Sequence, residues 1–435
     1  MIIFLLLSVL IIYFAFINFK KTFLFYLALK MIGLSMMCIK YSSPALSMET
    51  LLNFFFIFEF FRRGLIKKFL NRFYDFPLKK YFLISLFSIF VSLINSIMPI
   101  TSNLNSLLLT LLDDYLLVII FWFYINDSKD IKQYLQYCIL VLIITYLYGM
   151  LEFISNSNPV LDYIKNNVPE NLLEGKFYET GERLGLRRIN SLFISPNNFI
   201  YGSFIATLIF YFNKYYKNKI KHSILFLYAT GLMVLLANSR TVLISSLIMF
   251  IPLVLFYKKK SYGIIISMIV IFIIASPFLM QYVANITSVL MPSEKSQIEG
   301  SSVDGRMIQF LGSLELMMQS PFTGNGIGSI SYFVSEEGGW KWIILGTESI
   351  WMKLMIERGL LGIVSYIFLF YDLVKKFGIT QDSTLFFVTA GYLLAHTMSS
   401  LPGFSMSFFM ILIFCFYKLK INSYAYRNLN HTPSL

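Results

Sequence analysis

The sequence predicts an all-α polytopic integral membrane protein with about 12 or 13 transmembrane helices and two long extracytoplasmic loops. Of its 435 residues, 57% are hydrophobic and only 14% are charged, and the mean hydropathy is +0.69. Many of the apolar residues fall into runs of roughly 20, the length that spans the hydrocarbon of a bilayer as a helix. The basic residues cluster in short segments between these runs, as the positive-inside rule requires of cytoplasmic loops.

Thirteen apolar windows are candidate membrane spans. Threading all thirteen puts every basic cluster on the cytoplasmic side and both long polar stretches outside. Lys30 falls within the second window, which leaves twelve spans as an alternative. The windows are 2–19, 22–39, 44–61, 81–100, 105–125, 133–154, 193–212, 223–239, 241–257, 262–282, 348–371, 383–401 and 404–417.

The two polar stretches divide the chain into five parts. The first apolar segment has neither a basic start nor a small-residue cleavage site, so it is expected to be a retained span. The parts are the N-terminal transmembrane helices (1–154), the first long extracytoplasmic loop (155–192), the central transmembrane helices (193–282), the large extracytoplasmic loop (283–347), and the C-terminal transmembrane helices with a short cytoplasmic tail (348–435).

Composition and motifs exclude several classes of function. The net charge of +13 resides in loop lysines rather than in a basic stripe with interleaved aromatics, so no nucleic-acid partner is expected. Cys38, Cys138 and Cys415 lie within apolar segments, and the three histidines are far apart in sequence, so no metal or other cofactor is expected. The chain also lacks a GxxxxGK[ST] phosphate-binding loop.

Charged residues inside two predicted spans have alternative interpretations. Asp113 and Asp114 interrupt the fifth span, where a carboxylate costs roughly 2.5–3.5 kcal/mol. They either relay protons, as in a transporter, or pair with a buried group such as Lys30 and fix the packing. Lys353 and Glu357 lie four residues apart in the eleventh span, where they border an internal cavity or form a self-contained ion pair.

The large outer loop contains an amphipathic segment followed by three alternating glycines. Residues 307–319 are predicted to form a helix, because apolar side chains recur at helical spacing. Gly324, Gly326 and Gly328 follow, without the strand or the GxGxxG spacing of a dinucleotide site. They fit better in a turn whose backbone approaches a ligand or a neighbouring helix.

Four segments taken together resemble the O-antigen polymerase and ligase superfamily of bacterial membrane glycosyltransferases. They occur in the order and with the topology of that superfamily, over about 175 residues of the C-terminal half. The N-terminal half matches only as a series of apolar spans. The segments are 188–198, 238–241, 305–326 and 357–362.

The resemblance implies a multi-pass enzyme of the bacterial inner or plasma membrane that acts on a glycan linked to polyprenyl pyrophosphate, such as undecaprenyl pyrophosphate. The product would be capsule, exopolysaccharide or O-antigen of the cell envelope. The expected partners are the lipid-linked oligosaccharide, the bilayer, a flippase and chain-length regulator proteins. Negative charge grows on the departing pyrophosphate, and arginine can bind phosphate oxygens bidentately with a permanent charge.

The resemblance also implies which residues form the site. Arg306 and Arg188 are the leading pyrophosphate ligands, and Arg187 competes with Arg188 for that role. Arg240 is a third candidate. The alternative for each arginine is a loop salt bridge or an interfacial position. The remaining substrate-binding candidates are Asn197, Gly324, Gly326 and His396.

Ligases of the superfamily carry a histidine in the large outer loop, just before the next span. Residues 346–349 occupy that place here without a histidine, which favours a polymerase. Glu348 is the candidate general base, and His396 is the histidine expected nearest the outer face. A ligase, and a polysaccharide flippase or secondary transporter, remain the alternatives.

Overall fold

In the computed structural model the described residues are 2–34, 37–40, 46–64, 73, 76–167, 182–183, 186–193, 195–216, 219–256, 303–335, 338–344, 349–399 and 405–430. Within these ranges the chain is nearly all helical, which confirms the predicted all-α membrane fold. The strands among them form two short antiparallel hairpins, β1 (Cys38–Lys40) with β2 (Leu46–Ser47) and β3 (Glu182–Arg183) with β4 (Leu186–Arg187).

Helices overlap twelve of the thirteen predicted spans, and the window 262–282 lies outside the described residues. In the window 22–39 the helix ends at Leu29 and the chain continues through a turn into β1, so the helix is shorter than the predicted span. The helices are α1 (Ile2–Ile17), α2 (Phe19–Leu29), α3 (Met48–Arg62), α4 (Lys79–Ile94), α5 (Ile100–Tyr124), α6 (Ser128–Ser155), α7 (Pro159–Asn167), α8 (Ile200–Tyr215), α9 (Ser223–Leu236), α10 (Arg240–Phe256), α11 (Val303–Gln319), α12 (Ser329–Val334), α13 (Lys341–Ile344), α14 (Ile350–Phe377), α15 (Ser383–Met398) and α16 (Ser405–Asn430).

Three of the described helices, α5, α6 and α14, are long and apolar enough to cross a membrane by length and composition. On α6 the residues Leu140, Ile144 and Leu147 are exposed, although leucine and isoleucine are among the most frequently buried residue types. The opposite face of the same helix is buried, with Leu135 and Leu142 fully enclosed. A helix that is apolar all round fits a lipid surrounding on its exposed face.

A buried polar cluster joins α2, α3 and α5. The Lys30 ammonium, which is fully enclosed, lies 2.5 Å from carboxylate oxygens of both Glu49 and Asp113. Asn53 donates to Asp113 and accepts a hydrogen bond from the Tyr26 hydroxyl. Of the two interpretations of Asp113, pairing with Lys30 is therefore confirmed. A buried charge of this kind is tolerated because it is paired and hydrogen-bonded.

The two aspartates lie in a π-helical segment of α5, Leu111–Leu116. Such segments widen a helix by one residue and shift the side chains that follow. Asp113 meets Lys30, whereas Asp114 lies 3.1 Å from the Ser407 hydroxyl on α16. The same hydroxyl is 2.8 Å from the Asp113 carbonyl oxygen. The two adjacent carboxylates therefore contact different helices: Asp113 contacts Lys30 beside α2, and Asp114 contacts Ser407 on α16.

Helix α14 reverses direction at Gly359, which corrects the expectation of one straight span over 348–371. Gly359 has φ +58° and ψ −150°, a conformation that interrupts helical hydrogen bonding. The Trp351 and Tyr366 rings lie 5.0 Å apart, whereas fifteen residues of a straight helix rise about 22 Å. The 350–358 arm thus folds back beside the 360–377 arm. Hydropathy does not detect such a reversal, because the reversal depends on the backbone conformation of one residue.

The glycine-rich turn of the outer loop satisfies the backbone groups that this reversal leaves open. The amide groups of Asn325 and Gly326 donate to the Ile356 and Glu357 carbonyls, at 2.8 and 3.2 Å. In return the Leu360 amide donates to the Pro321 carbonyl at 2.8 Å. Helix ends need such partners because several of their amide and carbonyl groups have none within the helix.

The predicted amphipathic segment is a helix, α11. It packs through Leu316, which is buried with Ile356, Phe333 and Ile344. The apolar residues of the predicted pattern lie on the other side and are exposed: Met307, Ile308, Leu311, Leu314 and Met318. The C-terminal end of α11 is therefore anchored to α14.

Candidate functional site

Asn197 connects three parts of the chain at the end of the bundle where α8 begins. Ser195 caps the 3-10 turn Pro196–Phe199 by accepting a hydrogen bond from the Asn197 amide at 3.3 Å. The Asn197 side-chain amide then donates to the Ser399 hydroxyl at 2.6 Å, and its oxygen accepts from the Ser239 hydroxyl at 2.6 Å. We call Asn197, Ser239 and Ser399 the polar triad.

Arg240 follows Ser239 directly and begins α10. Its side chain is half-buried, whereas Ser239 and Thr241 on either side are buried. Asn238, at φ +48°, turns the chain between α9 and α10 and so fixes where Ser239 and Arg240 lie. The structure therefore brings two of the candidates, Asn197 and Arg240, to the same end of the bundle.

Arg188 leads into the segment that Glu152 holds in place. The Glu152 carboxylate, at the end of α6, accepts hydrogen bonds from the Asn190 and Ser191 amides at 3.4 and 2.6 Å. The Asn158 side chain adds a bond to the Ser191 carbonyl at 3.0 Å. Arg188 itself is half-buried just before this anchor. Arg187 belongs to β4, and its side chain lies outside the described part of the chain.

His396 lies three residues before Ser399 on α15 and is only 3% exposed. Its ring is 4.3 Å from the Tyr392 ring, centroid to centroid. Both ring nitrogens are buried without a hydrogen-bond partner among the described residues. Buried polar atoms are usually satisfied, so an imidazole of this kind calls for an explanation.

Gly324 and Gly326 approach protein backbone and side chains. A Cβ atom on Gly324, at φ +70°, would collide with the backbone of Glu357 and Arg358. One on Gly326, at φ +99°, would collide with Ser96 in the turn between α4 and α5. Of the two interpretations of these glycines, close approach to a neighbouring helix is confirmed, and a role in substrate binding stays a prediction.

The other predicted site residues lie around the large outer loop. Arg306 is half-buried in the first turns of α11, about 15 Å along the helix from Leu316. Its contact with a substrate anion stays a prediction. Glu348 lies outside the described residues. Its neighbour Ser349 caps α14, because the Ser349 hydroxyl accepts from the Trp351 amide at 3.3 Å.

Glu357 and Lys353 do not form the ion pair that their spacing allowed. The Glu357 carboxylate is buried and accepts a hydrogen bond from the Gly328 amide at 3.0 Å. Lys353 is exposed. Arg358 beside them reaches the Ser85 hydroxyl on α4 at 3.2 Å. Glu357 is therefore a partner of the glycine turn, and among the described residues no ion pair within 4.0 Å includes Lys353.

The arrangement suits a ligand that carries both hydroxyl groups and negative charge. The polar triad contains hydroxyl and amide groups, and Arg240, next to Ser239 in sequence, carries a permanent cation that can bind two phosphate oxygens. Within the described ranges, no three histidine, cysteine, aspartate or glutamate side chains are grouped to hold a metal ion.

Sequence reasoning missed Glu152 and Ser399 as contributors to this region. Glu152 could have been recognised because it lies at the end of an apolar span. A carboxylate that becomes buried there needs hydrogen-bond donors from another segment. Ser399 gives no signal in one sequence, since its partner Asn197 is 202 residues away.

Residues 223–367 match the model of a family described as O-antigen ligase. This confirms the resemblance to the O-antigen polymerase and ligase superfamily. The match covers 145 residues (223 to 367) of the 435, a third of the chain. It contains Ser239, Arg240, Arg306 and the glycine turn, whereas Arg188, Asn197 and His396 fall outside it. No curated protein and no solved structure matches the chain.

Over residues 223–367 the chain is therefore similar to this O-antigen ligase family, and its long apolar helices are those of a membrane protein.

Proposed function

We propose that this protein is a polysaccharide polymerase of the bacterial plasma membrane. It takes a glycan chain from one polyprenyl-pyrophosphate carrier and transfers it to the free end of the next lipid-linked repeat unit, at the outer face. The product is a capsule, exopolysaccharide or O-antigen chain. A flippase and chain-length regulators are the partners that such a reaction calls for.

The polar triad beside Arg240 is the observation that carries this proposal. It joins the segment 188–198 to the segment 238–241 through the 2.6 Å contact between Asn197 and Ser239. Residues that lie 42 positions apart in sequence therefore bring hydroxyl and amide groups together next to the Arg240 position. A carbohydrate attached to pyrophosphate presents the complementary hydroxyl and phosphate groups.

The reaction is a single displacement at the anomeric carbon. An acceptor hydroxyl oxygen forms the new glycosidic bond, its proton passes to a base, and the bond from the anomeric carbon to the pyrophosphate oxygen breaks. Arginines held in a partly dry site stabilise the charge that develops on the leaving group. Glu348 is the proposed base, a task that requires its pKa to lie near the working pH.

Transfer by a ligase, to a lipid or protein acceptor, is the second candidate. The description of the matching family as O-antigen ligase favours it. Against it, residues 346–349 read Gly-Thr-Glu-Ser and supply no histidine at the place where superfamily ligases carry one. The two activities share the donor chemistry and differ in the acceptor that is consumed.

The length of the polymer in cells tests the proposed function. Cells carrying Arg306→Ala or Arg306→Lys, at normal protein levels, are expected to show only single repeat units on a gel. Lysine keeps the charge but cannot bind a phosphate bidentately. Glu315→Gln, an exposed change on the same helix, is the matched control and is expected to leave the polymer unchanged. Long polymer in Arg306→Ala cells would contradict the proposed role.

A transporter would give the reverse pattern. It would tolerate Arg306→Ala and fail on loss of Asp113 or Asp114, because a proton pathway needs a titrating carboxylate. Asp113 is held by Lys30 at 2.5 Å, which supports a packing role for this carboxylate. A polymerase therefore predicts that correctly folded Asp114→Asn protein still makes polymer.

A further inference from the structure

Helix α11 packs onto the protein through a side with small residues and exposes its large apolar side chains. Gly312, Ser313 and Leu316 are buried on the packed side. A Cβ atom on Gly312 would lie 2.4 Å from the Ile343 side chain of α13, so this side of the helix is in close contact. The opposite side carries apolar residues at helical spacing, which we call the α11 stripe. Its members are Met307, Leu311, Leu314 and Met318.

The α11 stripe points away from the protein, the reverse of what a helix on a water-exposed surface does. Met307, Leu311 and Met318 are 58%, 54% and 65% exposed. Ile308 and Phe310, which flank the stripe, are exposed as well. A surface helix in water turns its apolar stripe to the core. Contiguous exposed apolar patches mark contacts with another protein or with a membrane, so the α11 stripe needs an occupant.

The second arm of α14 provides a lipid-facing surface next to α11. After the reversal at Gly359, residues 360–377 rise about 27 Å, close to the roughly 30 Å of bilayer hydrocarbon. One side of this arm is buried in the bundle through Tyr366, Leu369 and Leu373. An exposed apolar side on a helix that crosses a membrane contacts lipid. On this arm that side consists of Leu360, Ile367, Tyr371 and Val374.

The lipid-facing side of α14 continues into the α11 stripe. The Leu360 amide donates to the Pro321 carbonyl at 2.8 Å. The Leu361 amide donates to the Phe322 carbonyl at 3.2 Å, so the turn after α11 lies against the first turn of the second arm. Phe322 is 66% exposed beside the exposed Leu360, and Met318 lies four residues earlier in the last turn of α11. The exposed apolar surface therefore extends from the second arm through Phe322 to the stripe.

We propose that the α11 stripe is seated in the outer leaflet of the bilayer, where it contacts the acyl chains of lipids. Glu315 and Gln319 are exposed at the border of the stripe, as polar residues are in helices that lie between lipid and water. This seating depends on the membrane fold and not on polymerase activity, so it goes beyond the proposed function. It makes α11 a membrane contact of the large outer loop, and it holds Arg306, in the first turns of the helix, near the lipid surface.

Quenching of a fluorophore by nitroxide lipids tests this seating in the full-length protein. Met307→Cys, Leu311→Cys and Met318→Cys are made separately in a Cys38→Ser background, labelled with a nitrobenzoxadiazole maleimide and placed in phosphatidylcholine nanodiscs. We expect blue-shifted emission, and strong quenching when the nanodiscs contain phosphatidylcholine with a nitroxide on its acyl chain. Because all three positions are exposed, a label there disturbs no packed contact, and gel filtration verifies that each variant is folded.

Two control positions define the limits of the quenching scale. Ile367→Cys, on the lipid-facing side of α14, is expected to be quenched as strongly as the stripe. Ser331→Cys, an exposed polar position in the same outer loop, is expected to show the emission of a label in water and little quenching. Cys138 and Cys415 are buried and take up little label.

Two results would overturn the proposal. Emission and quenching at the stripe equal to those of Ser331→Cys would place α11 in water. Blue-shifted emission without quenching by the nitroxide lipid would show that protein covers the stripe, either a second copy of this chain or another partner. Neither result bears on the polymerase, which polymer length in Arg306→Ala cells tests separately.

Discussion

At the scale of single residues, Asn197, in the 3-10 turn before α8, holds two side chains that flank other helices: Ser239 before α10 and Ser399 after α15. Its amide donates to Ser399 and its oxygen accepts from Ser239, each at 2.6 Å. On α8 itself, Ser203 also bridges to α10, through the Ser246 hydroxyl at 2.7 Å. Only the contact between Asn197 and Ser239 lies beside a candidate arginine, Arg240, which follows Ser239 in the chain.

That difference gives a matched pair of variants. Asn197→Ala and Ser203→Ala each remove buried hydrogen bonds, which typically contribute about 0.5–1.5 kcal/mol apiece. We expect comparable losses of melting temperature in purified protein, but loss of polymer in cells only for Asn197→Ala. If both variants make polymer of normal length, the polar triad is a packing contact and the candidate site must lie elsewhere.

At the scale of elements, α14 and the glycine turn depend on each other. A Cβ on Gly359 would come within 2.7 Å of the Gly324 nitrogen and the Pro321 carbonyl oxygen. The φ of +58° at this position is also unfavourable for any other residue. The reversal therefore needs glycine on both sides of the contact, at Gly324 and at Gly359.

Gly359→Ala is expected to destabilise the protein, or to straighten α14, and in either case to abolish polymer formation. Gly231→Ala is the control, because Gly231 lies inside α9 with nothing within 4 Å of its added Cβ. An alanine there gains helix propensity, about 1 kcal/mol at most. Melting temperature and polymer length measure both effects. Wild-type behaviour of Gly359→Ala would show that the reversal is not needed.

The positions of the helices were predictable from the sequence where the hydropathy pattern determines them. Helices overlap twelve of the predicted spans, because apolar length and composition suffice to locate them, although the helix in the window 22–39 ends at Leu29. The reversal of α14 was not predictable, because one positive φ at Gly359 leaves the apolar pattern unchanged. The amphipathic pattern of α11 correctly predicted a helix. It gave no indication that Leu316, on the opposite side, makes the contact with Ile356.

At the scale of the whole molecule, the sequence predicts that charge is divided between the two faces of the membrane. The lysine clusters are expected on the cytoplasmic side and the candidate arginines on the outer side. Pairing with a buried group such as Lys30 was one of two interpretations of Asp113 from the sequence, and the structure confirms this pair. The sequence did not reveal the polar triad, since its members come from segments separated by 42 and 202 residues.

The orientation predicts which positions react with a membrane-impermeant maleimide in intact cells. Cysteines placed at the exposed positions Ser155 and Ser331 are expected to be labelled from outside. Cysteines at Lys221 and Gln381 are expected to be labelled only after permeabilisation. Cys138 and Cys415 are buried and give little background, and Cys38→Ser removes the third thiol. Labelling of Lys221→Cys in intact cells would invert the topology and move the candidate site to the cytoplasm.

The most direct test of the central claim is reconstitution of the purified full-length protein with a polyprenyl-pyrophosphate-linked repeat unit as sole substrate. The account predicts a ladder of products on a gel, with one polyprenyl pyrophosphate released for each new linkage. It also predicts that Arg188→Ala, Arg240→Ala and Arg306→Ala each shorten or abolish the ladder. Release of pyrophosphate carrier only after addition of a separate lipid or protein acceptor would contradict the polymerase and establish a ligase.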